Sequence, residues 1–139
     1  ANKITKSDWS DKKEQVMSSL SQIDNEFIEK ITSLIEEDIS SDKIDTNYLA
    51  DKLCMSISTL YRKVKALTNL STSEFIRKVK MKNAERMLLE QKYTISEISY
   101  KVGINTVSYF RQCFQKEFGM SPTQYLKKIK GITVKDEEE

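Results

Sequence analysis

The chain repeats itself at an offset of 50 residues, and this repeat constrains its fold more than any other feature. Residues 69–76 read NLSTSEFI, and residues 119–126 read GMSPTQYL. Each copy contains Ser-x-x-Glu or Ser-x-x-Gln before an aromatic residue, which is the pattern of a helix capping box. Apolar residues upstream recur at the same offset: Leu60 and Val64 with Phe110 and Phe114. Two copies of one small helical unit are therefore expected.

The apolar spacing in each copy predicts a short helix, a tight turn and a longer helix, which is a helix-turn-helix unit. The expected helices span about 46–54 and 57–68 in the first unit, and about 94–102 and 105–118 in the second. Thr94 and Glu97 form a further capping box, Gly103 ends that helix, and Asn105 is expected to cap the next. Another helix should begin at Ser121, with Pro122 in its first turn.

These elements predict an all-α fold of about seven helices, with two helix-turn-helix subdomains joined by a long helix at about 72–91. Asp24 or Asn25 is expected to cap the first helix. The predicted divisions are a linker with a partial helix (1–23), the first subdomain (24–70), the linking helix (71–92), the second subdomain (93–130) and an acidic tail (131–139).

The 139 residues include no histidine and only two cysteines, Cys54 and Cys113. Histidine is the usual general base and the commonest metal ligand, so an enzyme or a metal site is disfavoured. We interpret both cysteines as reduced core residues of a cytosolic protein. We expect no catalysis, no cofactor, no metal and no small-molecule ligand in this domain.

Charge is segregated along the chain although the net charge is only +2. Residues 43–130 contain 17 Lys and Arg against 7 Asp and Glu, a net charge of +10, and the remainder carries a net charge of −8. A basic body favours a polyanionic partner, with the nucleic-acid backbone as the leading candidate. The alternative is a solvated helix surface with a chance bias.

Four segments resemble the AraC/XylS-type transcription regulators: LYRKVKALT at 60–68, EFIR at 74–77, ISEISYKVG at 95–103, and the spaced aromatic residues with FGMSP in 109–125. The resemblance extends from about Asp24 to Lys130. It is greatest to the version found in response regulators and hybrid two-component sensors, and the initial Ala suggests a fragment of a longer protein.

The resemblance implies sequence-specific binding to double-stranded DNA, with two recognition helices in successive major grooves. The positions that match base-reading residues are Ile57, Ser58, Tyr61, Arg62, Val107, Ser108, Arg111 and Gln112. Expected phosphate contacts are Lys63, Lys65, Arg77, Lys78 and Lys101. The helical periodicity agrees, because Leu60, Val64 and Leu67 share one face and leave Arg62 on another.

The sequence departs from the family pattern at five positions. Gln112 replaces the usual Arg and Gln115 the usual Lys, which leaves the base preference of the second unit open. Asn69 replaces Gly but can adopt the left-handed conformation of a helix end. Ser99 and Ile104 replace Ala and an aromatic residue.

The aromatic residues follow the inward stripe of the helices, so we expect them in the core: Phe75, Tyr109, Phe110, Phe114 and Phe118. Buried aromatic residues disfavour a binder of RNA or single strands, which needs exposed ones. The runner-up is a helical interaction or dimerisation module, supported by the apolar stretch around Met17, Leu20 and Ile23.

Further candidate partners are RNA polymerase and, in the full-length protein, a second copy of the chain. We expect a cytoplasmic location, with the full-length protein tethered to the inner membrane if it is a hybrid sensor.

Overall fold

The computed structural model describes the backbone of residues 6–131 and the side chains of residues 21–131. These residues form seven helices and no strand: α1 (Lys6–Glu37), α2 (Thr46–Lys52), α3 (Ile57–Thr68), α4 (Thr72–Glu90), α5 (Ile95–Lys101), α6 (Val107–Phe118) and α7 (Pro122–Lys130). The prediction of an all-α fold with two helix-turn-helix units is confirmed. Most of the expected acidic tail lies outside the described residues.

Two apolar cores hold the chain together, and α4 contributes to both. Buried residues of the first core lie on α1 to α4 and include Ile31, Leu60 and Val64. The second core lies on α4 to α7 and includes Phe110 and Phe114. Each fully buried aliphatic or aromatic side chain contributes about 1.5–3 kcal/mol. Because α4 carries part of each core, it is a structural member of both units.

Three capping boxes form where the sequence predicts them, at the starts of α4, α5 and α7. In α4, the amide of Glu74 donates to Ser71 Oγ at 3.1 Å, and the amide of Ser71 donates to Glu74 Oε1 at 3.0 Å. The backbone amide of Ser71 lowers the pKa of the Glu74 carboxyl. These reciprocal bonds fix the starts of the helices and therefore the lengths of the turns before them.

The start of α1 differs from the prediction, because the helix runs without interruption from Lys6 through Asp24 and Asn25 to Glu37. No Gly or Pro lies between residues 6 and 37. Asp and Asn are only slightly unfavourable inside a helix, so neither residue is forced to act as a cap. Residues 6–23 are therefore helical, and no break in the helix marks a boundary at residue 24.

The cap predicted at Asn105 is also wrong. Thr106 is the N-cap residue of α6 and makes no capping hydrogen bond through its side chain. Instead, Asn105 Nδ2 donates to Asp42 Oδ2 at 2.8 Å, across 63 residues of sequence. The side chain of Asn105 is occupied by a contact with the first unit, which the local pattern could not reveal.

Cys54 is exposed and not a core residue, whereas Cys113 is half-buried. Cys54 follows α2 and has a φ of 54°. Its equivalent in the second unit is Gly103, 49 residues later. Gly103 also has a positive φ, at 75°. Both residues lie in the turn between two helices, and the Cys54 side chain is exposed there.

Two departures from the family pattern, Ser99 and Ile104, lie in contact in the second unit. Ser99 is fully buried, and its Oγ donates to the carbonyl oxygen of Ile104 at 2.6 Å. The hydroxyl is therefore satisfied inside the second core, where an unpaired one would be costly. Ile104 is also buried, so this bond ties the turn before α6 to α5.

Candidate nucleic-acid interface

Helix α3 presents a polar face opposite the first core. Leu60 and Val64 are fully buried, while Ser58 and Arg62 are exposed. The hydroxyl of Ser56 accepts a hydrogen bond from the amide of Thr59 at 3.1 Å and fixes the start of the helix. The helix thus projects two polar side chains, one turn apart, away from a rigid support.

The remaining two base-reading candidates in this unit are apolar or aromatic. Ile57 is 49% exposed and Tyr61 is 44% exposed. They lie at the start and on the flank of α3, and neither belongs to the first core. Exposed side chains of this type can contact thymine methyl groups in a major groove.

Helix α6 repeats the arrangement. Phe110 and Phe114 are buried, and Ser108 and Gln112 are exposed at the positions equivalent to Ser58 and Arg62. Val107 and Arg111 are half-buried, so they present less surface than expected. The two helices carry their polar faces in the same register, since an offset of 50 maps one onto the other.

Two residues predicted to point inward are substantially exposed. Leu67 is 37% exposed near the end of α3, where the core no longer covers it. Tyr109 is 47% exposed and lines a cleft between α6, α4 and the start of α2, so its prediction as a core residue is wrong. Its repeat partner is the polar residue Thr59, and this mismatch was the available signal.

The expected phosphate contacts are exposed, except for the half-buried Arg77, and four of them already have intramolecular partners. Lys63 Nζ lies 4.7 Å from the centre of the Phe27 ring, and Lys101 Nζ lies 4.7 Å from that of Tyr93. The others are hydrogen-bond or ion-pair contacts: Lys65 Nζ to the Asn69 carbonyl at 3.1 Å and Lys78 Nζ to Glu117 at 3.4 Å. Such surface contacts are worth about 1 kcal/mol or less and can be exchanged for a phosphate.

Arg77 on α4 lines two clefts that both adjoin α6. It lines the cleft with Tyr109 on one side of α4 and a second cleft with Cys113 and Lys116 on the other. A guanidinium there lies beside α6 and near the start of α2.

Within residues 21–131, no cluster of three or more Cys, Asp or Glu side chains is arranged to hold a metal ion. No helix among the residues that the structure describes is both long and apolar enough to cross a membrane.

The family description "Helix-turn-helix domain" matches residues 49–128, from the middle of α2 into α7. Among curated proteins, "Histidine kinase P4" of Formosa agariphila is 36% identical over 107 residues, covering 77% of this chain and 8% of that protein. The "DNA-binding dual transcriptional regulator Rns" of Escherichia coli is 33% identical over 105 residues, covering 76% of this chain and 39% of Rns. The chain therefore spans well under half of these relatives.

Solved structures share the same fold. The C-terminal domain of AraT, a response regulator from Geobacillus stearothermophilus, superposes with a TM-score of 0.67 at 27% identity, over 78% of this chain and 88% of that one. The DNA-binding domain of AdpA, in complex with a target DNA, superposes with a TM-score of 0.67 over 75% of this chain and 93% of that one. At 21% identity, the latter likeness is one of fold alone.

The family match covers more than half of the chain, and the repeat, the turns and the buried residues agree with it. The chain belongs to the AraC-type helix-turn-helix family of DNA-binding domains, which also occurs in transcription regulators such as Rns.

Proposed function

We propose that this domain binds a specific double-stranded DNA site by placing α3 and α6 in successive major grooves. The observation that carries the proposal is the matched pair of exposed polar faces, Ser58 with Arg62 and Ser108 with Gln112. Helix α4 joins the two units and has 19 residues. At ~1.5 Å per residue it is about 28 Å long, close to the ~34 Å of one DNA turn.

The two units are proposed to read different bases. Arg62 can donate two hydrogen bonds to guanine, and Gln112 can donate and accept one each with adenine. Arg77 and the surface lysines contact phosphates and position the domain without reading sequence. The DNA bends where the half-sites do not match the separation of the helices.

Replacing Arg62 with Ala should weaken binding to the preferred site by about 1–3 kcal/mol and relax discrimination at one base pair. The reason is the loss of a bidentate contact to a base edge. The measurement is the affinity of the unaltered and Arg62→Ala domains for every single-base change of a site selected from a random duplex pool.

The control for this variant is Lys78→Ala, which removes an exposed cation on α4. It should lower the affinity for all sequences about equally, because a phosphate contact carries no base information. If Arg62→Ala also lowers the affinity uniformly and leaves the base preferences unchanged, Arg62 contacts a phosphate and the proposed reading face is wrong.

Replacing Gln112 with Arg should shift the preference of the second half-site from adenine toward guanine. Gln112 is exposed and equivalent to Arg62, so the longer side chain meets no packing obstacle at this face. The same single-base panel reports the change, and Gln115→Arg on the neighbouring turn provides the comparison. An unchanged preference at every position would remove Gln112 from the base-reading set.

We further propose that the domain is the output module of a longer two-component protein that acts in the cytoplasm. The likeness to a protein named histidine kinase and to a response regulator domain supports this. Phosphorylation elsewhere in such a protein would control dimerisation or release of the domain. Tethering of the full-length protein to the inner membrane and contact with RNA polymerase belong to the same proposal.

One observation favours the runner-up, an interaction or dimerisation module. Ile23 on α1 is 60% exposed, and the apolar positions Met17 and Leu20 precede it in sequence. Dimerisation of the full-length protein through this part of α1 is compatible with DNA binding. An interaction module without DNA binding is separated from the main proposal by the salt dependence of DNA affinity.

A further inference from the structure

The connection between α1 and α2 packs against the turn between α5 and α6, although these segments belong to different units. Ile39 is half-buried against the second core, which is otherwise built from α4 to α7. Asp42 accepts the 2.8 Å hydrogen bond from Asn105. We refer to residues 38–43, residues 102–105 and Lys80 as the inter-unit junction.

At Gly103, the backbone of the second unit lies so close to the backbone of the α1–α2 connection that a side chain on this residue would not fit. A β-carbon on this residue would lie 2.5 Å from the carbonyl oxygen of Ile39 and 2.6 Å from that of Ser41. Real β-carbons do not approach other atoms so closely, because such contacts lie far inside van der Waals distance. The two units are therefore in direct contact here, in addition to their covalent link through α4.

Lys80 lies at the centre of the junction and is only 7% exposed. Its Nζ would lie 3.1 Å from the same β-carbon on Gly103. Burial lowers the pKa of the Lys80 ammonium, and the negative charge of Asp42 opposes this effect. A buried cation depends on nearby opposing charge, so the loss of Asp42 should draw Lys80 toward solvent and loosen the junction.

We propose that Asp42, Lys80 and Asn105 are positioning residues that hold the two recognition helices at one separation and so determine which spacing of DNA half-sites is accepted. The inference rests on the proposed function. One added base pair moves a half-site by roughly 3.4 Å and rotates it by about 35°. If α4 were the only connection, the two units could shift relative to each other and follow this displacement. If the contacts at the junction also fix their relative position, they could not.

The test compares the double variant Asp42→Ala/Asn105→Ala with the double variant Glu36→Ala/Asn83→Ala. In the control pair, Asn83 Nδ2 also donates to a carboxylate at 2.8 Å, but it joins α1 to α4 away from the junction. Both pairs are exposed hydrogen bonds between an amide and a carboxylate. Asn83 also donates to the Val79 carbonyl oxygen and accepts from Arg86, so the control variant removes more hydrogen bonds than the junction variant. Only the junction variant should nevertheless free the units.

The first measurement is the distance between spin labels on the two recognition helices, without DNA. Labels are placed at Ala66→Cys and Gln115→Cys, which are exposed positions on α3 and α6, in a chain with Cys54→Ser and Cys113→Ser. The unaltered junction and the control pair should give one narrow distance distribution. The junction variant should give a broader one. Equal widths in all three proteins would overturn the proposal.

The second measurement is affinity for a series of duplexes whose half-sites are separated by one base pair fewer to two more than the selected site. One inserted base pair should lower the affinity of the unaltered domain and of the control at least about 30-fold, and that of the junction variant only about threefold. A variant that is merely less stable would lose affinity at every spacing alike, and this result would overturn the assignment. If the unaltered domain bound no duplex selectively, the proposed function and the spacing claim would both fail, while the label distances would still report whether the junction holds the units together.

Discussion

Raising the salt concentration from about 50 to 200 mM should weaken binding to the selected duplex at least about 1,000-fold, assuming six or more phosphate contacts. Residues 43–130 carry a net charge of +10, and each neutralised phosphate releases counterions from the duplex. Fluorescence anisotropy of a labelled duplex across a salt series gives the slope of log affinity against log salt. About 0.9 of a unit of slope is expected for each phosphate contact.

The contacts of the basic residues inside the protein refine this expectation. Lys65 and Lys78 are bound to Asn69 and Glu117 in the absence of DNA, so each must exchange one partner for another. Because both are exposed, this exchange reduces affinity slightly and leaves the release of counterions intact. A scrambled duplex should show a similar slope at lower affinity. A flat response with both duplexes would favour the interaction module.

The sequence predicts the fold well where local rules act without competition. The capping boxes at Ser71, Thr94 and Ser121 each need residues three positions apart, and all three form. Asn69 adopts the left-handed conformation expected of a helix end, with φ of 61°. Burial of Leu60 and Val64 and of their repeat partners follows from helical periodicity alone.

The sequence reading fails where a contact between the units outweighs a local pattern. Asn is a residue type that commonly caps helices, but the side-chain amide of Asn105 donates a hydrogen bond to Asp42 in the other unit instead. Tyr109 directly precedes the buried Phe110, yet it lines the cleft beside α4 and is 47% exposed. Nothing within a few residues of Asn105 encodes the approach of the other unit, so capping rules could not predict its contact. For Tyr109, the polar repeat partner Thr59 was the signal of an exposed position.

In the candidate interface, too, some features could be predicted from the sequence and others could not. The exposure of Arg62 and Gln112 could be predicted, because it depends only on which helix face the core occupies. The partners of Lys63 and Lys101 are aromatic rings of Phe27 and Tyr93, 36 and 8 residues away in sequence. Charge counting treated these lysines as free cations, and only the packing of α1 and of the α4–α5 turn reveals their contacts.

Replacing Gly103 with Ala should lower the free energy of unfolding by about 2–5 kcal/mol, a large part of the ~5–15 kcal/mol of a typical domain. Its φ of 75° costs an L residue about 1–2 kcal/mol. The added β-carbon would meet the carbonyl oxygens of Ile39 and Ser41 at 2.5 and 2.6 Å. Relieving this overlap costs a further ~1–3 kcal/mol, because backbone on both sides must move.

Gly119 provides the matched control, since its φ is 77° and nothing lies within 4 Å of a β-carbon placed on it. Gly119→Ala should therefore show only the cost of the left-handed backbone, about 1–2 kcal/mol. Urea unfolding of both variants, followed by far-ultraviolet circular dichroism, gives the two free energies. Their difference isolates the close approach of the units at Gly103. If the two variants lose the same stability, the connection between α1 and α2 moves aside freely, and the contact at Gly103 does not hold the first unit against the second.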